Sequence, residues 1–306
     1  MNVLLVGGES AGLQTLKAIT ATPHTLVGVL PSQSKNGFAG ATVEGLARKL
    51  GVPTWSATCV RDPQFASVVA AAQVDVLLNV HSLYLIDAAV LQAPRLGCFN
   101  LHPGPLPECA GLNAPSWAIQ RGEQMHGVTV HWMAPGIDTG PLAYSERFPI
   151  DDADTGLSVA LRCIRLGVRL VETLLHTAAT DAAAIPRIPQ DLCKRRYFGA
   201  GPPDNGRLTW SASARQVRDF VRAADYRPFP SPWGHPQTRA NGGELAVVAA
   251  SCTGRSTKEA PGTIGVRSER GVEVACSDEW LLVRDVQEAG RYQPAAAVLR
   301  SGERLS

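Results

Sequence analysis

The chain has 306 residues, longer than one ordinary domain and shorter than three, so one large domain with one smaller one is expected. With 45% hydrophobic and 18% charged residues and no low-complexity tract, it suits a globular enzyme and not a disordered or fibrous chain. A net charge of +2 is too mild to argue for a nucleic-acid partner, and no apolar stretch approaches the roughly eighteen residues of a membrane span.

The opening Met-Asn-Val-Leu-Leu-Val-Gly-Gly lacks a basic head and a small-residue cleavage site. It reads as a first buried strand and not as a signal peptide, so a cytoplasmic protein is expected. Helical spacing follows over 11–19, with Leu13, Leu16 and Ile19 on one side. The intervening Gly7-Gly8-Glu-Ser-Ala-Gly12 does not match Gly-x-Gly-x-x-Gly and reads as a tight strand-to-helix turn rather than a dinucleotide site. Further on, 25–30 is an apolar run, 43–50 a helix stopped by Gly51, and 74–80 a strand. A helix over 88–91, a strand over 97–101, a helix over 114–120 and a strand over 127–133 complete the alternation. Strands alternating with helices imply an α/β, doubly wound, mostly parallel (Rossmann-like) sheet. A long helix over 155–176 should bury Leu157, Leu161, Ile164, Val168, Val171 and Leu175 and close a first domain at 1–180.

Residues 181–206, rich in Pro, Arg and Gly, read as a linker. A short amphipathic helix over 214–223 and strands at 245–250, 262–266, 272–275 and 280–283 suggest a small β-barrel in a second domain, 207–306. Trp210, Trp233 and Trp280 read as core and interface residues of that barrel. Cys59, Cys98, Cys109, Cys163, Cys193, Cys252 and Cys276 are scattered, odd in number and without a Cys-x-x-Cys pair, so no disulfide framework and no metal site is indicated.

The chemistry concentrates in two segments. In Cys98-Phe-Asn-Leu-His-Pro-Gly-Pro-Leu-Pro, Asn100 and His102 share one face of a strand end, stiffened beyond by Pro103, Pro105 and Pro107. In Gly127-Val-Thr-Val-His-Trp-Met-Ala-Pro-Gly-Ile-Asp-Thr-Gly-Pro, a strand ends in a Gly-rich turn carrying Asp138. An amide, an imidazole and a carboxylate together suit acyl transfer, which needs a donor for the developing oxyanion and a base for the attacking amine. His131 reads as a packed strand residue.

Asn-x-His-Pro with the Leu-Pro and Gly after it, followed by Gly-Val-Thr-Val-His…Ile-Asp-Thr-Gly-Pro, resembles the 10-formyltetrahydrofolate-dependent formyltransferase family. The resemblance covers residues 1–176 and, less closely, the C-terminal region, where that family often carries an OB-like barrel. It implies that Asn100 hydrogen-bonds the formyl oxygen, that His102 helps bind that oxygen and handles the amine proton, and that Asp138 sets the protonation of His102. It also implies 10-formyltetrahydrofolate as co-substrate, with Leu83, Tyr84, Leu85, Leu101, Ile137 and Asp138 as its binding residues. The commonest family pattern has Ser-Leu-Leu-Pro and then Arg-Gly after the histidine. Here Gly104-Pro105-Leu106-Pro107 precede Glu108-Cys109-Ala110-Gly111, so Glu108, Asn113 and Trp117 become candidate acceptor contacts.

The acceptor implied is a primary amine: an amino sugar, an amino acid or a carrier-bound aminoacyl group. Family members that formylate methionyl-tRNA tend to carry a basic insertion in an early loop, whereas residues 31–40 hold one lysine, Lys35. The cluster Lys194-Arg195-Arg196 keeps tRNA as an alternative partner. Further alternatives are a 10-formyltetrahydrofolate hydrolase and a catalytically silent binding module. No membrane partner is expected, and a homodimer is compatible with the sequence.

Overall fold

The computed structural model describes residues 1–32, 41–240 and 242–306. By contact the chain divides into two compact units. The first comprises Met1–Gly111, His126–Phe148 and Leu161–Tyr197, and the second Leu112–Met125, Pro149–Ala160 and Phe198–Ser306.

In chain order the elements begin β1 (Asn2–Gly8), α1 (Glu9–Thr20), β2 (Thr25–Ser32), α2 (Val43–Lys49), α3 (Phe65–Ala71), β3 (Val76–Val80), α4 (Ala88–Gln92) and β4 (Gly97–His102). There follow β5 (Ala110–Gly111), α5 (Ala114–Gln120), β6 (Met125–Trp132), β7 (Leu142–Pro149), α6 (Gly156–Thr180) and β8 (Tyr197–Phe198). The last part holds α7 (Ala214–Ala223), β9 (Gln237–Ala240), β10 (Gly243–Ser256), β11 (Ile264–Ser268), β12 (Gly271–Ala275), β13 (Glu279–Glu288), β14 (Arg291–Pro294) and α8 (Ala295–Val298).

The first unit is built on a six-stranded sheet in the order β2-β1-β3-β4-β6-β7. Strands β2, β1, β3 and β4 run parallel, and β6 is antiparallel to β4. The parallel core follows from near-continuous apolar runs: Val3 to Val6 and Val76 to Val80 are buried on both faces, and the second run is apolar except for the buried Asn79. The turn between β1 and α1 is tight. A Cβ on Gly7 would lie 3.2 Å from the Cα of Gly12, so the glycines bring helix and strand into close contact. The order reverses between β1 and β3, and the carboxyl ends of the strands there carry Glu9 and His81, both with left-handed backbones (each φ 53°). The Nδ1 of His81 lies 3.3 Å from Oε2 of Glu9.

Several elements depart from the sequence expectation. The periodicity of 65–71 did not register as a helix, because only Phe65 and Val69 turn inward. Strand β7 was also missed, since the polar run Tyr144 to Arg147 hides its two-residue alternation. In α6 the buried residues include Val159, Cys163, Leu166, Val171, Leu174, Leu175 and Ala178, so Val171 and Leu175 of the expected face are buried while Leu161 is 47% exposed. The expected face is therefore out of phase over the first turns and in phase by Val171 and Leu175: within a 3.6-residue period a helix this rich in leucine fits two neighbouring stripes. Gly167 belongs to the true stripe, and its lack of a side chain admits Leu101, whose Cδ1 would lie 2.7 Å from a Cβ there.

The second unit holds an antiparallel sheet in the order β11-β12-β13-β10-β9, with β14 on β13. Strands β10 and β13 are longer than expected, and β9 and β14 were not foreseen. Helix α7 starts with a capping box, in which Ser213 Oγ accepts from the N–H of Gln216 and the Gln216 side chain accepts from the N–H of Ser213. Its buried Asp219 is held by Arg218 and Arg222, each at 2.8 Å. Trp210 is buried and donates to Thr238 Oγ1 at 2.9 Å. Among the described residues no helix is long and apolar enough to cross a membrane.

Candidate active site

Asn100 and His102 stand two residues apart on β4 and share a face, as their spacing requires. In register, Asn100 lies opposite Asn79 on β3 and His131 on β6. The loop from Met133 to Gly140 returns over this face and delivers Asp138. The structure brings all three sequence-derived residues together: Asp138 Oδ1 is 3.4 Å from Nδ2 of Asn100, and Oδ2 is 3.6 Å from Nδ1 of His102.

Each group is held from behind. His102 is buried, and its Nε2 donates to the carbonyl of Cys109 at 2.6 Å. That bond leaves Nδ1 of the neutral ring with its lone pair toward Asp138. Asp138 has a left-handed backbone (φ 54°), and its Oδ2 accepts the N–H of Gly111 at 2.8 Å. Gln190 secures the turn itself, with Nε2 donating to the carbonyls of Asp138 at 3.0 Å and Gly140 at 2.6 Å. Arg195 Nη2 donates to the carbonyl of Ile137 at 3.0 Å. A segment expected as a linker thus supplies two side chains that fasten the Asp138 turn.

Burial lowers the affinity of His102 for a proton below that of a free imidazole. The carboxylate of Asp138 and the carbonyl of Cys109 pull the other way, while His131 and His81 oppose protonation. Burial would raise Asp138, yet the field of His102, the approach of His131 at 3.5 Å and the Gly111 N–H bring it down to about 2. At neutral pH the site is therefore a neutral imidazole beside an ionised carboxylate. It can take up one proton at Nδ1, where the negative charge lies.

His131, read from the sequence as a packed strand residue, is buried in β6 and also faces Asn100: its Nε2 lies 3.1 Å from Asn100 Nδ2 and 3.5 Å from Asp138 Oδ1. Its Nδ1 donates to the carbonyl of Trp132 at 2.8 Å. Asn79 was not singled out either, and its Nδ2 donates to Oδ1 of Asn100 at 2.9 Å. The available signal was an isolated polar residue inside the apolar run Val-Leu-Leu-Asn-Val.

Of the folate candidates, Leu83 and Leu85 are 70% and 65% exposed and Ile137 is 41% exposed. Tyr84 packs against the core that includes Leu77 and Val90. Leu101, between Asn100 and His102, turns its side chain to the opposite face and under α6. Of the acceptor candidates, Glu108 pairs with Arg147 at 2.8 Å in the first unit. In the second unit Asn113 Nδ2 donates to the carbonyl of Ala200 at 2.9 Å, and Trp117 stacks on Phe198 with centroids 5.0 Å apart. In the basic cluster, Lys194 pairs with Asp191 at 3.2 Å. Residues 33–40, with Lys35, lie outside the described residues.

Two family descriptions match the chain: "Formyl transferase" over residues 6–173 and "Formyl transferase, C-terminal domain" over residues 202–302. A methionyl-tRNA formyltransferase of Sorangium cellulosum (strain So ce56) is 32% identical over 312 residues, covering 100% of this chain and 97% of that protein. Among solved structures, the sugar 3N-formyl transferase WlaRD, described in the presence of dTDP and 5-N-formyl-THF, has a TM-score of 0.71 at 14% identity, covering 95% of this chain and 98% of its own. An N-formyltransferase from Helicobacter canadensis, in complex with folinic acid and dTDP-3-aminofucose, has a TM-score of 0.66 at 14% identity, covering 92% and 98%.

Proposed function

Since this chain belongs to the formyl transferase family and is a 10-formyltetrahydrofolate-dependent N-formyltransferase, we propose that it formylates the primary amine of a small or carrier-bound acceptor through Asn100, His102 and Asp138. The observation that carries the assignment of roles is the convergence of the three side chains, drawn from β4 and the turn after β6, on one buried face.

The donor supplies a formyl carbon bonded to the leaving nitrogen of the folate. The residues fit such a molecule. Leu83 and Leu85 expose apolar side chains in the loop after β3 that can cover a flat ring, and Ser82 Oγ in the same loop is buried with no protein partner among the described residues. Asn100 Nδ2 donates to the formyl oxygen as negative charge develops there. Its bond to His131 uses one hydrogen, and its second makes only the 3.4 Å contact with Asp138, which a nearer oxyanion outcompetes. His102 takes the proton of the attacking amine at Nδ1, and Asp138 stabilises the imidazolium that results. The same proton then passes to the folate nitrogen as the bond from formyl carbon to that nitrogen breaks. The new amide gains the carbon, and the proton count closes.

The charge pattern supports a small acceptor: the 31–40 segment has one lysine, and Lys194 and Arg195 are engaged by Asp191 and the Ile137 carbonyl. A methionyl-tRNA acceptor is the second reading, supported by the full-length similarity to the Sorangium protein. The test is release of tetrahydrofolate from 10-formyltetrahydrofolate with amino sugars, amino acids, carrier-bound aminoacyl groups and methionyl-tRNA, each against a no-amine control. Release that requires one small amine, which gains a formyl mass, supports the proposal. Release that requires methionyl-tRNA establishes the second reading, and equal release without amine replaces both with hydrolysis.

A further inference from the structure

We propose that Asn79 is a positioning residue that sets which way round the Asn100 amide stands, so that a donor and not an acceptor faces the formyl oxygen. The inference rests on the role given to Asn100 above.

A carboxamide is nearly symmetric in shape and opposite in polarity at its two ends. Rotated by half a turn, Asn100 would occupy the same volume and present Oδ1 to the developing oxyanion, which would repel it. Something must therefore hold the polarity. The network around Asn100 does so because it is anchored at both ends by backbone carbonyls, which only accept. At one end the Trp132 carbonyl receives Nδ1–H of His131 at 2.8 Å. In the tautomer that carries its single proton on Nδ1, Nε2 is an acceptor, which calls for the Asn100 NH2 at 3.1 Å. At the other end Nδ2 of Asn79 faces the Ser82 carbonyl at 3.4 Å and donates to Oδ1 of Asn100 at 2.9 Å. The two anchors demand the same orientation of Asn100.

Stability does not explain the residue. Asn79 is 5% exposed, its neighbours Val76, Leu77, Leu78 and Val80 are buried and apolar, and its own Oδ1 is buried without a hydrogen-bond partner among the described residues. An unpaired buried acceptor costs free energy that a valine at this point of β3 would not. The compensating role is the bond to Asn100. Asn79 holds the back of that amide at 2.9 Å and reaches the Ser82 main chain only through the longer 3.4 Å contact, so its loss should act on turnover far more than on folate binding.

The experiment compares Asn79→Val, Asn79→Asp and Asn100→Ala with the unmodified full-length enzyme, reading kcat, KM for 10-formyltetrahydrofolate, tetrahydrofolate affinity and the pH profile. Asn79→Val removes the orienting donor, and kcat should fall roughly tenfold with KM within about threefold. Asn79→Asp places an acceptor against Asn100 and turns the amide over. Its kcat should fall roughly a hundred- to a thousandfold at pH 8, the scale of a lost oxyanion donor. Burial raises the carboxyl pKa of that variant, and the protonated acid can again donate to Oδ1. The ratio of its kcat to that of the unmodified enzyme should therefore rise about tenfold or more between pH 8 and pH 5.5, a recovery that a merely structural role would not produce. A pH-independent ratio, or a loss of folate affinity equal to the loss of kcat, overturns the inference. So does unchanged kcat in Asn79→Val, which also decides the matter if Asn79→Asp does not fold. Unchanged kcat in Asn100→Ala overturns the reading of the site itself. Loss in Asn100→Ala with normal turnover in both Asn79 variants overturns the positioning role alone.

Discussion

Replacing Asp138 with asparagine isolates one interaction, the carboxylate charge 3.6 Å from Nδ1 of His102. With an effective dielectric of about 20, Coulomb attraction at that distance is about 5 kcal/mol for an imidazolium. Asparagine retains a dipole and a hydrogen-bonding end, so the net loss should be about 3 to 4 kcal/mol. If the proton rests on His102 in the transition state, kcat falls roughly a hundred- to a thousandfold. The neutral ground state gains little from the charge, so tetrahydrofolate affinity should change less than about threefold. The pH profile gives an independent check. Activity requires neutral His102 and is lost as pH falls through its pKa, which burial already places below the ordinary imidazole value. Asp138 raises that pKa, so Asp138→Asn should carry its acid limb to lower pH while its plateau drops. Tetrahydrofolate release measured from pH 5 to 8.5, with folate binding followed by fluorescence, reads all three quantities. An acid limb that stays in place or moves upward, or equal losses of affinity and kcat, would refute the reasoning.

Further outcomes are expected. Gln190→Ala removes two hydrogen bonds to the carbonyls of Asp138 and Gly140, which should lower unfolding free energy by about 2 kcal/mol and kcat by roughly tenfold; denaturant melts and turnover at saturating amine measure both. Gly140→Ala would force a Cβ into the Trp132 carbonyl, backbone that cannot move aside, so we expect loss of more than about 3 kcal/mol and of activity. His126 is buried neutral, its pKa lowered to about 4 chiefly by burial, with its Nε2 donating to the Pro103 carbonyl at 3.0 Å. Below an unfolded pKa near 6.5 the unfolded chain binds the extra proton, so stability falls between about pH 6.5 and pH 4 and is flat below. His126→Gln should remove about 3 kcal/mol of that pH dependence in urea titrations, and an unchanged slope would contradict the assignment.

Much of this protein is legible from local pattern. The apolar runs of β1 and β3 announce a buried parallel sheet, and Asn100 and His102 fall on one face because strand side chains repeat every two residues. The two motifs also single out Asp138, which the structure places 3.4 Å from Asn100 and 3.6 Å from His102. The phase of α6 was less legible, because its leucines satisfy two adjacent stripes and only contact with Leu101 beneath Gly167 selects between them. Strand β7 escaped because its exposed polar residues leave no alternation to detect.

What the sequence alone determined is the fold class, the chemical types gathered at the site and the family. What only the tertiary structure decided is polarity and support. Asn79 meets Asn100 across 21 residues of chain, His131 meets Asn100 across 31, and Gln190 reaches the Asp138 turn across 52. Such pairings are set by strand register and by the path of a returning segment, and these depend on how the whole sheet packs. Periodicity records which side of an element a residue occupies. Which partner waits on that side, and which end of an amide it holds, is decided by the rest of the chain.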